Sequence, residues 1–174
     1  MPLAVSLKAL GPSAAPIHAL WREAGAFEDV PSMAALGYAP HLTLAVYEAI
    51  APERLVAVVA EAFAGMAAPA VAFAGVRRFD GPATVLWAAP EAPEALGDFH
   101  AAVHRVIDPA LCHPHYRPGA WVPHASLATA VPAAARARAL AWAARPRAPF
   151  TVVFDVVDAV RFPPVAVLAE RRLG

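Results

Sequence analysis

Pro40-His41-Leu42-Thr43-Leu44-Ala45 and Pro123-His124-Ala125-Ser126-Leu127-Ala128 are two copies of one hexapeptide, identical at four of six positions and sharing a hydroxyl at a fifth, Thr43 and Ser126. His124 follows His41 by 83 positions, about half of the 174-residue chain. Each copy is followed by a proline placed to open a helix, Pro52 or Pro132. Internal similarity of this kind reads as one supersecondary unit used twice. Within each copy the proline fixes its own φ and biases the preceding residue, Ala39 or Val122, toward extended backbone, so it starts a strand without breaking an interior ladder. Side chains two apart on a strand share a face, spaced about 6.5–7 Å. His41 and Thr43 therefore project together while Leu42 and Leu44 point to the opposite layer, and His124 and Ser126 do the same over Ala125 and Leu127. Two such strands facing across a pseudo-two-fold axis would present two imidazoles and two hydroxyls to one small anion, a phosphate clamp with an acid and a base in place.

Outward from the repeat, prolines and glycines punctuate the chain. Strands are expected at Leu3–Leu10, His41–Glu48, Val71–Val76, Thr84–Ala88, His124–Thr129, Phe150–Val157 and Val165–Glu170, with Asp80-Gly81-Pro82 as a turn. Helices are expected from an N-cap at Ser13 to Gly25, from Pro52 through Met66, over Pro93–Ile107 and over Pro132–Ala144. A proline- and histidine-rich loop covers Asp108–Pro118. Strands interleaved with helices, several joined by hairpins, predict an α+β fold of mainly antiparallel sheet with flanking helices, in one domain spanning residues 1–174.

Composition narrows the function classes. Hydrophobic residues make up 59% and charged residues 16%, which excludes a disordered chain. Fourteen basic residues balance fourteen acidic ones, so the excess positive charge of a non-specific duplex-DNA binder is missing. Cys112 is alone, which leaves no intramolecular disulfide and no cysteine-rich metal site. The uncharged stretch Pro118–Ala135 is interrupted by Gly119, Pro123, His124 and Pro132, so it is not expected to span a membrane. With no basic segment leading a long apolar core at Met1–Lys8, a soluble cytoplasmic protein is expected.

The duplicated P-H-x-[ST]-L-A resembles the two-histidine phosphoesterase superfamily, and within it the bacterial 2′-5′ RNA ligase-like and cyclic phosphodiesterase proteins. The hairpin from Gly75-Val76-Arg77-Arg78-Phe79 to Val85-Leu86-Trp87 and the approach Trp121-Val122-Pro123-His124 add to the likeness. The resemblance implies two similar α+β lobes flanking a central cleft, no metal or other cofactor, and hydrolysis of 2′,3′-cyclic phosphates or related 2′-5′ and cyclic phosphodiesters. His41 and His124 would be catalytic, with Thr43 and Ser126 on the phosphate. His41 is assigned as acid and His124 as base, although pseudo-symmetry leaves the roles exchangeable. Unperturbed imidazoles would place the activity maximum at roughly pH 6–7.5. RNA-end-processing members often carry an arginine after the second motif, where this chain has Thr129 and no arginine until Arg136; Lys8 is its only lysine. Both departures favour a small nucleotide over a long RNA, though an RNA end remains within the class.

Other residues are weighed against plainer roles. Tyr116, Arg117 and Trp121 could stack a base and hold a phosphate, or simply pack the loop. Arg77 and Arg78 are expected to follow a strand and be solvated. His100 and His104 have a metal-compatible spacing but read as a half-buried helix pair, and Cys112, His113 and His115 read as a loop that could form a lid. Two rival functions remain: a non-catalytic nucleotide- or phosphate-binding module on the same fold, and a metal hydrolase built on His100, His104, His113 and His115.

Overall fold

A computed structural model describes all residues, 1–174. Eight strands form two four-stranded antiparallel sheets. The first has the order β2-β1-β7-β8, from β1 (Leu3–Lys8), β2 (His41–Tyr47), β7 (Val156–Arg161) and β8 (Ala166–Arg172). The second has the order β5-β4-β3-β6, from β3 (Ala70–Phe79), β4 (Thr84–Pro90), β5 (Ala125–Val131) and β6 (Phe150–Val153). Four helices complete the α+β architecture: α1 (Ala15–Ala24), α2 (Pro52–Glu61), α3 (Gly97–Val106) and α4 (Ala133–Ala143). The motif strands β2 and β5 are the edges of their sheets and approach one another across the middle of the molecule.

The helices interlock the two lobes. α1 connects β1 to β2 in the first sheet but packs on β5 of the second, and α3 connects β4 to β5 but packs on β2. α2 covers β1, β7 and β8, and α4 covers β3, β4 and β5. Each sheet thus buries its outer face under one helix of its own lobe and one of the other, and one continuous hydrophobic core runs through both.

The pseudo-symmetry reaches the backbone. In β1:β2, Val5 pairs with Ala45 and Ser6 with Thr43, so Leu44 is an extra residue. In β4:β5, Leu86 pairs with Ala128 and Trp87 with Ser126, so Leu127 is extra at the matching position of the second motif. Each is a β-bulge, which bends the strand and disturbs its ladder. In both copies the carbonyl just before the extra residue accepts a tryptophan N–H: Trp121 Nε1 donates to Thr43 O at 3.0 Å, and Trp21 Nε1 to Ser126 O at 2.8 Å.

Three sequence expectations need correction. The run Phe150–Val157 is two strands in different sheets, because the chain crosses between them at Phe154 and Asp155. Phe154 is fully buried beside Phe73, and Asp155 turns its carboxylate to Leu10 N at 2.8 Å. Ser13 does not cap α1, which starts at Ala15 after a 3-10 turn; its Oγ instead accepts from Val153 N at 3.0 Å. β3 extends to Phe79 and so includes Arg77 and Arg78. No helix is long and apolar enough to cross a membrane.

An unsatisfied buried carbonyl costs about 1–3 kcal/mol. Trp121→Phe and Trp21→Phe, which keep a large ring but lose the donor, are each expected to reduce stability by about that amount in urea titrations.

Candidate active site

His41 opens β2, and its Nδ1 lies 3.0 Å from the carbonyl of Ala39. His124 stands immediately before β5, with Nδ1 2.7 Å from the carbonyl of Val122. A carbonyl can only accept, so the tautomer is assigned in both rings: Nδ1 carries hydrogen and Nε2 is left as the acid–base atom. The proline between carbonyl and histidine is what makes the bond local, since it holds the two preceding residues extended and turns the carbonyl back toward the ring.

Thr43 and Ser126 each follow by two residues and are half-buried like the histidines, while Leu42, Leu44, Ala125 and Leu127 are buried beneath. Between β2 and β5 lies a cleft of about 210 Å³ lined by His41, Thr43 and Ser126, together with Ser6, Tyr38, Tyr116 and Thr129. Its remaining wall is apolar, contributed chiefly by Met33, Leu36, Val160, Phe162 and Val165, and no Asp, Glu, Lys or Arg lines it. His124 is not among the lining residues, yet its charge reaches His41.

The two imidazoles sit in unlike surroundings. Against His41 lies the ring of Tyr38, 4.7 Å between centroids. Against His124 lie Phe79 and Trp87, at 5.0 and 5.8 Å. Burial pushes the His41 pKa down from 6.5 to about 4; the Ala39 carbonyl opposes this and the charge of His124 adds to it. His124 is lowered by burial, against its own carbonyl partner, Val122. Burial thus biases both rings toward the neutral form, and His41 also feels the charge of His124.

Of the residues expected to bind substrate, Tyr116 lines the cleft, but Arg117 and Trp121 are occupied elsewhere. Arg117 donates to the carbonyls of Cys112 at 2.9 Å and Ala110 at 3.0 Å, which folds the loop on itself. Trp121 stacks on His100 at 4.3 Å and 4° while its N–H is given to Thr43 O, so it is a packing residue rather than an open stacking face. His100 and His104 both turn Nε2 to the carbonyl of Tyr116, at 2.8 and 3.1 Å, and no three His, Cys, Asp or Glu side chains converge. The histidine loop is tied to β2 through His113 N to Val46 O at 2.8 Å.

Sequence reasoning missed Tyr38, Ser6 and the apolar wall, as well as Glu28. The Oε1 atom of Glu28 accepts from Thr129 N at 2.5 Å and Ala130 N at 2.7 Å. An acid thus stands behind the position where an arginine is common in the resembling family. Nothing in the sequence near Glu28 announces this, because the contact spans about a hundred residues.

The depressed His41 pKa has a linkage consequence. The unfolded chain takes up a proton at this residue near pH 6.5, the folded one only near pH 4. Its contribution to stability is complete above about pH 6.5 and is lost as pH falls through about 4. The rise of stability with pH across that window is expected to flatten in His41→Asn, read from urea midpoints at successive pH values.

A family model described as the 2′-5′ RNA ligase superfamily matches residues 12–161. Among solved structures, the crystal structure of TT0787 of Thermus thermophilus is similar with a TM-score of 0.62 and 20% identity, over 99% of this chain and 98% of that one. At that identity the likeness is one of fold. No curated protein matches the chain.

Proposed function

Because the chain belongs to the 2′-5′ RNA ligase superfamily, we propose that it is a metal-independent phosphodiesterase acting on 2′,3′-cyclic phosphates or related small 2′-5′ and cyclic phosphodiesters. The observation that carries this reading is the matched pair of imidazoles, each with Nδ1 held by a backbone carbonyl and Nε2 left free. A group that merely bound phosphate would need donors, not two rings that burial biases toward the neutral, proton-accepting form.

The environments support exchanging the roles expected from sequence. His41, the more readily neutral ring, takes the proton of the attacking water at Nε2. His124 donates from Nε2 to the leaving ribose oxygen, and the anionic phosphate favours its charged form. Thr43 and Ser126 donate to the non-bridging oxygens as negative charge grows. The cleft lining, with no charged side chain and one apolar wall, suits a single nucleotide or a short RNA end better than a long polyanion.

The direct test is a screen of 2′,3′-cyclic nucleotides and 2′-5′ dinucleotides for hydrolysis in EDTA. Turnover is expected to persist under chelation. It should fall about 10²–10⁴-fold in His41→Ala and His124→Ala, and by up to about 10³-fold in Thr43→Ala and Ser126→Ala. Binding without turnover of any of these compounds would establish the non-catalytic alternative instead.

The pH profile tests the roles. With the base titrating at about 4 and the acid below 6.5, kcat/KM of the free enzyme should rise through about pH 4 and fall before pH 6.5. That places the maximum on the acid side of the window that unperturbed imidazoles give.

A further inference from the structure

The cleft face of the first sheet holds a buried charge cluster that the second sheet lacks. Lys8 and Asp158 are 5% and 0% exposed, and Lys8 Nζ lies 3.1 Å from Asp158 and 2.8 Å from the exposed Glu170. The hydroxyl of Tyr38 donates to the Asp158 carboxylate, 2.8 and 2.9 Å from its two oxygens. Register places this cluster against the motif: Lys8 is the cross-strand partner of His41, while Ser6 is partner to both Thr43 and Asp158. In the second sheet Trp87 faces Ser126 as Ser6 faces Thr43, and Arg77 occupies the position of Asp158. One step beyond the Ala88–Ala125 pair, Ala89 stands where Lys8 stands in the first sheet. The duplication does not need the cluster, and a buried ion pair is often no more stabilising than well-packed apolar residues of the same volume.

What the cluster does reach is Tyr38. That residue lies in the short connection leading into β2, half-buried, with its ring packed on His41. Without an anchor, a tyrosine so close to the cleft would be free to swing and let water onto the imidazole. With both carboxylate oxygens within reach of its hydroxyl and the Lys8 ammonium 5.7 Å from its ring centroid, it is fixed from below. We propose that the Lys8–Asp158 pair acts through Tyr38 as a positioning device for His41, making the tyrosine ring the fixed wall that holds this imidazole in register and shields it from water. Tyr38 is a positioning residue, and the cluster is what makes the two histidines of a duplicated motif unequal. The inference rests on the reading of His41 as a working imidazole. The titratable and charged groups around His41 are Tyr38 from its own connection, its cross-strand partner Lys8, Asp158 beneath Tyr38, His124 of the second motif and the Tyr116 phenol on the cleft wall.

The test uses the full chain and needs no substrate for its first reading: the titration of His41 followed by imidazole NMR. Two variants cut the link from opposite sides. Tyr38→Phe removes only the hydroxyl. The double variant Lys8→Met, Asp158→Leu removes the pair without changing net charge. Each is expected to raise the His41 titration from about 4 toward 6.5, by roughly 0.5–1 pH unit or more, with His124 moved less. In the double variant this should come without loss of thermal stability, which separates positioning from a structural role. On a 2′,3′-cyclic mononucleotide, kcat is expected to fall about 10-fold or more with KM little changed, the cost of a base displaced from its attack geometry. A His41 titration unmoved in Tyr38→Phe overturns the proposal, whether or not the double variant folds. A wild type with no turnover of any cyclic phosphate overturns the hydrolase reading alone, since the titration still decides the role of Tyr38.

Discussion

A carbonyl displaced from its ladder by a β-bulge must find another donor or remain unpaired in the interior. Here that requirement arises twice, at Thr43 and Ser126, and both times an indole N–H meets it. Trp21 comes from the helix that leaves the opposite sheet, and Trp121 is clamped by His100 of the other crossing helix. The two bonds therefore fasten each motif strand to a helix grown from the other lobe. The bulge turns the hydroxyl and the preceding imidazole toward the cleft, and the indole keeps the bulge in place. Cleft geometry and the interlocked packing of the helices are thus one constraint seen from two sides.

Equal backbones do not give equal chemistry. Both histidines are seated by the same proline-induced carbonyl bond, but one faces a phenol anchored on a buried ion pair and the other faces a phenyl ring and an indole. Burial lowers both pKa values, and the charge of one bears on the other. The two imidazoles therefore differ in surroundings although they stand on matching backbones.

The motif strands, the α+β class and the placing of His41, Thr43 and Ser126 on one cleft were legible in the sequence because proline placement and period-two alternation are local signals. The split of Phe150–Val157 was not: an uninterrupted apolar run carries no mark of a change of sheet, and Asp155 announces a turn only once its partner Leu10 is known. Tyr38 lies three positions before His41 and outside the repeated hexapeptide, and its partner Asp158 is 120 positions away. One clue to the cluster was in view, a charged Asp158 amid Val156, Val157, Ala159 and Val160. An acid in a strand buried on both faces demands a cation, and the chain holds a single lysine. For Arg117 and Trp121 the sequence left loop packing and substrate contact open, and their side chains are given to backbone carbonyls.

The crossing of α1 and α3 has a mechanical meaning. Two lobes that each lent a helix to the other's outer face cannot swing apart about a hinge without tearing both helices from their seats. The width of the slot between β2 and β5 is accordingly decided when the chain folds. At the rim of that slot stand shorter pieces, the Met33–Leu36 turn and the histidine loop, the latter fastened to β2 through His113 N and Val46 O.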